Sequence, residues 1–114
     1  MSSDIDQIIW QLAEHYDDMM LLGLHQLLLT RNLFIPSQDR TIRIAEISNM
    51  KLAELYTGMH PNWGGTGFST LSYGEALDMV LTLDNVDGAL LHNKQDSWVG
   101  FDKRKILWLR EQSK

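Results

Sequence analysis

The sequence predicts a helix-rich α+β fold: a long N-terminal helix packed with two further helices, and a small C-terminal β-hairpin or mixed element. Three observations carry this prediction. Apolar residues recur at three- and four-residue steps through residues 4–30, which is the helical period. Ser72-Tyr73-Gly74-Glu75 is a capping box that opens a second apolar-periodic run. The last third of the chain holds short runs of apolar, aromatic and β-branched residues that suit strands.

In the N-terminal segment Ser3 is the expected N-cap, and Asp4 and Asp6 suit the positive end of the helix dipole. Ile5, Ile8, Ile9, Leu12, Tyr16, Met19 and Met20 form one stripe, and Trp10 on its apolar side is expected in the core. Between Met19 and Leu29 only Gly23, His25 and Gln26 are not strongly apolar, so this half is expected to be buried on most of its circumference. It falls short of the roughly 18–20 apolar residues that a membrane span needs. A mid-helix glycine costs about 1 kcal/mol relative to alanine, and a close helix–helix approach at Gly23 is the expected compensation. Asn32 and Pro36 supply stop signals.

Residues 39–57 fit two patterns. Ile42 and Ile44 alternate as in a strand, whereas Ile44, Ile47, Leu52, Leu55 and Tyr56 fit a helical stripe. The longer pattern favours a helix over most of 39–57, restarted at Ser48-Asn49 and closed by Gly58. Residues 58–71 then read as a long irregular loop with four glycines, a proline and the aromatics Trp63 and Phe68. A helix over 73–83 follows from the capping box. Asp84-Asn85-Val86-Asp87-Gly88 is a turn, and it lacks the spacing and terminal glutamate of a calcium loop. Ala89–His92 is an apolar run, 93–97 a turn, and Trp98, Val99 and Phe101 are strand-like. Lys105–Arg110 either completes a hairpin through Asp102-Lys103 or forms a helix capped by Asp102 with Ile106 and Leu109 inward, and so short a run leaves both open.

At 114 residues the chain reads as a single domain, with 44% hydrophobic and 22% charged residues. It has no cysteine, which excludes disulfides, thiol catalysis and cysteine-ligated zinc. With an N-terminus unlike a secretory signal, this favours a cytoplasmic location. The net charge is −5 and unevenly spread: residues 1–101 hold 13 acids and 5 bases, whereas residues 102–114 hold 2 acids and 5 bases. An acidic body argues against nucleic acid as a partner and is compatible with a basic protein. A helix-turn-helix reading fails because the 49–57 segment offers only Lys51 as a cation and carries Glu54.

No motif assembles a catalytic or metal site. His15 and His25 stand ten positions apart, about 15 Å along one helix, and no zinc-binding histidine spacing occurs. Gly64-Gly65-Thr66-Gly67 resembles a phosphate cradle but lacks the lysine of a Walker loop. Ser69 and Ser72 lie near His60 in sequence without a nucleophile elbow. What remains is a small non-enzymatic protein-binding protein of inhibitor, immunity or adaptor type, with no cofactor and no metal. Its expected contacts are Trp63 and Phe68 in the glycine-rich loop, with Trp98 and His60, since large aromatics dominate interface hot spots. Two alternatives stand beside it: a small enzyme or ligand-binding domain with a pocket under loop 59–71 that uses His60, and a homo-oligomer formed through the N-terminal helix.

Overall fold

The computed structural model describes residues 4–38, 41–58, 67–93 and 97–112. The elements in order are helices α1 (Asp4–Glu14) and α2 (Asp18–Leu28), and strands β1 (Asn32–Gln38), β2 (Thr41–Ile42), β3 (Ile44–Ile47), β4 (Met50–Tyr56) and β5 (Gly67–Ser72). Helix α3 (Tyr73–Thr82), strands β6 (Gly88–His92) and β7 (Trp98–Asp102) and helix α4 (Lys103–Gln112) complete them. The sheet is therefore a major element of the fold rather than a small C-terminal hairpin, and the prediction of a helix-dominated chain is corrected.

The long N-terminal helix is two helices. Asp17 takes an extended backbone (φ −149°, ψ 126°) and its carboxylate accepts the Met19 N–H at 3.0 Å. An aspartate that satisfies an orphan donor in this way begins a new helix and so interrupts the old one. The break lets Ile5, Ile9 and Leu12 of α1 and Leu21, Leu24 and Leu28 of α2 enter one core from two directions. Trp10, expected inside, is about half exposed at 48%. Gly23 is not a close approach either: a Cβ built there meets nothing within 4 Å.

Residues 41–56 are strands, not a helix. Ser48 and Asn49 both have positive φ (53° and 68°), and Ile47 pairs with Met50 across them, so they form the two-residue turn of a β-hairpin. β2 and β3 are separated only by Arg43, whose N–H donates to the Pro36 carbonyl while its carbonyl accepts the Glu54 N–H. They act as one bent strand that leaves β1 and joins β4, which makes the sheet six-stranded. Pro36 ended a helix in the sequence reading. It sits instead inside β1, where that strand's neighbour changes from β4 at Phe34 to β2 at Ser37, a place where a missing N–H interrupts no ladder.

Across the sheet the order is β5, β1, β4, β6, β7, with the bent β2–β3 wedged between β1 and β4. β4 and β6 are parallel, joined through β5 and α3, and the other pairs are antiparallel. Helix α3 begins at the expected capping box, with Glu75 N–H to Ser72 Oγ and Ser72 N–H to Glu75 Oε1 both at 3.2 Å. The C-terminal alternatives divide between two segments. β6 and β7 form the hairpin, and α4 follows with Asp102 accepting the Lys105 N–H at 2.9 Å and with Ile106 and Leu109 buried.

Alternate residues of the strands face one core. Leu33, Ile35, Ala53, Leu55, Ala89, Leu91, Val99 and Phe101 share it with all the buried apolar residues of the four helices. Phe34, Leu52, Glu54, Tyr56, Leu90, His92 and Trp98 alternate with these and lie on the other side of the sheet, outside that cluster. The helices thus cover an inner face, and the second set of side chains makes an outer face.

A candidate binding face on the outer side of the sheet

Strand register builds the outer face row by row. Thr70 lies opposite Phe34, Phe34 opposite Tyr56, Tyr56 opposite His92 and His92 opposite Trp98, so one row of four rings crosses from β1 to β7. The Tyr56 and His92 rings stack at 4.3 Å and within 6° of parallel. Phe68 of β5 packs on Phe34 with ring centroids 5.6 Å apart. The middle of the face is covered, with Tyr56 at 6% exposure, while Phe68 and Trp98 at the two ends are 42% and 44% exposed.

Beneath the row lies a charge. Glu54 is buried, and its Oε1 accepts the Tyr56 hydroxyl at 3.1 Å while its Oε2 lies 3.3 Å from Arg43 Nε. His92 Nε2 is 3.3 Å from Glu54 Oε1, an ion-pair distance at an angle outside hydrogen-bond geometry. The imidazole is the largest influence holding the Glu54 carboxyl below its ordinary range. The Arg43 charge and the Tyr56 hydroxyl add to it, and burial opposes it. A buried carboxylate with a guanidinium and an imidazole beside it and a hydroxyl donor is a satisfied group, one that fixes the side chains around it.

This cluster stands at the C-terminal ends of the parallel pair β4–β6, and the next residues tie those ends to α1. Thr57 donates to Asp6 Oδ1 at 3.3 Å, and the buried Asn93 donates to the Asp6 carbonyl at 2.9 Å. Asp6, expected as a first-turn dipole partner, is therefore a buried tie between helix and sheet. Beside Trp98 the outer face runs into a cavity of about 430 Å³ between Ile47, Met50, Leu52, Gly100, Tyr16 and Lys105. Lys105 is anchored at its rim by Asp18 at 2.8 Å and lies over the Trp108 ring at 4.9 Å.

Of the four residues expected to make contacts, Phe68 and Trp98 come to opposite ends of this one face, and His60 and Trp63 lie outside the described residues. Phe68 belongs to an edge strand and not to an irregular loop. Arg43, Glu54 and Tyr56 were missed because the helical reading of 39–57 scattered them, and His92 because its pairing with Tyr56 is set by the parallel register of β4 and β6. The alternation Leu52-Glu54-Tyr56 was the available signal. His25 is a core residue, its Nδ1 2.7 Å from the Tyr73 hydroxyl, and it joins α2 to α3. Among the described residues no group of three or more His, Asp or Glu side chains is placed to hold a metal ion. Nor is any described helix long and apolar enough to cross a membrane.

Fold and face together define a two-layer α+β protein in which, among the described residues, four helices lie on one side of a mixed sheet and an aromatic row over a buried charge on the other. Comparisons with protein-family models, with curated proteins and with solved structures found no match.

Proposed function

We propose that this is a non-enzymatic binding protein, of inhibitor, immunity or adaptor kind, that holds a basic protein against the outer face of its sheet. The observation that supports the reading is the meeting of Phe68 and Trp98 on one face, each more than two-fifths exposed, at the ends of a rigid aromatic row. Large amphipathic rings presented on strands lose little side-chain entropy when a partner covers them. The net charge of −5 favours a basic partner by electrostatic complementarity. The absence of cysteine suits the reducing cytoplasm, where the proposal sets the protein.

The test is a tagged capture from host extract, followed by affinity measurement on the purified partner. Trp98→Ala should weaken binding by about 2 kcal/mol or more, roughly thirtyfold, as a hot-spot truncation does. The thermal midpoint should hardly move, because the ring is largely outside the core. Met19→Ala, exposed on α2, should bind like the parent. Equal binding by Trp98→Ala and Phe68→Ala would remove the outer face as the contact surface.

A second reading, a ligand-binding or acid–base site, has its own support in the Glu54–Tyr56–His92 cluster at the ends of two parallel strands. A thermal-shift screen against nucleotides, phosphates and metals separates the two, since ligand at 100 times its dissociation constant adds about 2.7 kcal/mol.

A further inference from the structure

Trp98 borders two hollows. One is the cavity of about 430 Å³ beside the β3–β4 hairpin, and the other, of about 360 Å³, is lined also by Leu12, Ala13 and Glu14. Gly100 leaves the room for the first. It sits opposite Leu90 and puts no side chain on the outer face, where a Cβ would stand 3.2 Å from Leu52 Cδ1 and 3.5 Å from Leu90 Cδ1. Leu52, Ile47, Met50 and the Trp98 ring are left as apolar lining. Pockets that hold one small ligand or one long side chain measure roughly 300–1,000 Å³, and the cavity falls in that range.

The charges on these linings are unevenly committed. Among the described residues of both, Lys105 is the only cation, and Asp18 Oδ1 holds its ammonium at 2.8 Å while also accepting the Tyr16 hydroxyl. The other bases at the start of α4 are engaged elsewhere. Lys103 Nζ donates to the Leu83 carbonyl, and Arg104 lies with Asp87 in a hollow that meets the first only at Met50 and Asp102. Asp102 is exposed; its Oδ1 accepts the Lys105 N–H, and its Oδ2 has no partner among the described residues. Glu14, beyond Trp98, is exposed and in no ion pair among the described residues. Two uncommitted carboxylates thus stand against one committed ammonium.

We infer that the cavity beside the hairpin receives one arginine side chain of the basic protein that the outer face holds, an inference that rests on that reading of the face. The aliphatic stem lies on Ile47, Met50 and Leu52, the guanidinium stacks on Trp98, and Asp102 supplies the counter-charge. A guanidinium suits this place better than an ammonium, because it is planar, weakly hydrated and stacks on aromatic faces. A carboxylate or phosphate would meet Asp102 and the field of a molecule of net charge −5. A purely apolar side chain would gain nothing from Asp102.

NMR titration of the isotope-labelled full chain with N-acetyl-arginine amide tests this, beside the corresponding lysine and norleucine amides. The arginine compound should shift the Leu52 and Gly100 amides and the Trp98 indole N–H to saturation, with lysine weaker and norleucine weaker still. Asp102→Asn removes the charge and keeps the cap of α4, since asparagine caps as well as aspartate. It should weaken the arginine compound about fivefold, the scale of an exposed ion pair. Asp102→Ser, also a capping residue, serves if that variant does not fold. Glu75→Gln removes an equal charge at the start of α3, preserves its capping box and should bind like the parent. Absence of saturable shifts at the three residues overturns the inference. So does norleucine binding as tightly as arginine, or an Asp102→Asn variant that binds like Glu75→Gln. Failure of the inference and failure of the reading beneath it give different results. If partner binding needs Trp98 while the arginine compound does not seat, the outer face stands as the contact surface and the inference falls. If the compound seats but Trp98→Ala and Phe68→Ala bind the partner like the parent, the reading of the face falls and the partner's arginine with it.

Discussion

Replacing Glu54 with glutamine removes the charge under the aromatic row while keeping the side chain's shape. The amide oxygen can still accept from Tyr56, so what is lost is the attraction to Arg43 and His92. Removing one member of a fully buried pair costs about 3–5 kcal/mol, because the other charge stays buried alone. Here the Arg43 side chain is 38% exposed and keeps much of its hydration. The cost falls accordingly to about 1.5–3 kcal/mol, the scale of a charged hydrogen bond. In a chain of this size that lowers the thermal midpoint by about 4 °C or more for each kcal/mol. The pH dependence is the sharper test. The Glu54 carboxyl titrates lower in the folded protein than in the unfolded chain, where its ordinary value is 4.5. Its stabilisation is then complete above that value and disappears as pH falls through the lower folded one. Urea unfolding of parent and Glu54→Gln should differ most near neutrality and converge in strong acid. A difference that stayed constant down to strong acid would refute the reasoning, since the loss would then come from shape and not from charge.

Two glycines should respond oppositely to alanine. Gly23→Ala, in the interior of α2 with open space around it, should stabilise by about 1 kcal/mol. Gly88→Ala would set a Cβ against the Phe101 carbonyl and 2.7 Å from Asp102 Cα, forcing β6 from β7, and should destabilise by about 1–3 kcal/mol or more; urea midpoints decide both. His25 is held below its ordinary 6.5, chiefly by burial and further by the Arg110 charge, so the folded state favours its neutral form. Its contribution is complete above that value and is lost as pH falls through the lower folded one. His25→Gln should therefore flatten the pH dependence of stability in that mildly acidic window, as followed by thermal melts.

What could be read from the sequence depended on how local the determining contact is. The α3 start was legible because both bonds of the Ser72–Glu75 box close within three residues. The break before α2 was equally local, but Asp17 lies in a run whose apolar period continues across it, and the period outweighed the cap. Residues 41–56 misled for a stronger reason. Ile44, Ile47, Leu52 and Leu55 satisfy helical spacing, and the pairing that fixes Leu52 and Leu55 in a strand is with Gly88 and Leu91, far along the chain. Ser48-Asn49 between Ile47 and Met50, read as a helix restart, was the local signal for the hairpin turn, a polar pair whose asparagine tolerates positive φ. That one period error hid the outer face. On a helix Glu54 and Tyr56 stand about 200° apart, on a strand side by side. Phe68 and Trp98 were singled out from residue type alone, but their shared face depends on register through five strands, which no single segment encodes.

The two faces also handle buried polarity differently. The inner face admits His25 with Tyr73, a pair held neutral by burial, which raises the tyrosine hydroxyl and lowers the histidine. Such a pair costs little to enclose and stays neutral near neutral pH. The outer face encloses an ionised glutamate, and apolar residues of similar volume in place of such a pair are often neutral or stabilising. The benefit of Glu54 is therefore geometric. Its oxygens hold the Tyr56 hydroxyl and stand against His92 Nε2 and Arg43, so the stacked rings at the centre of the row keep one orientation. His92 lies directly opposite Trp98, and that ring inherits its platform from the same carboxylate. The charged group thus adds less to stability than an apolar cluster of the same volume but stiffens the sheet as a surface, and loss of Glu54 should disturb Trp98 through Tyr56 and His92 as well as lower the stability of the fold.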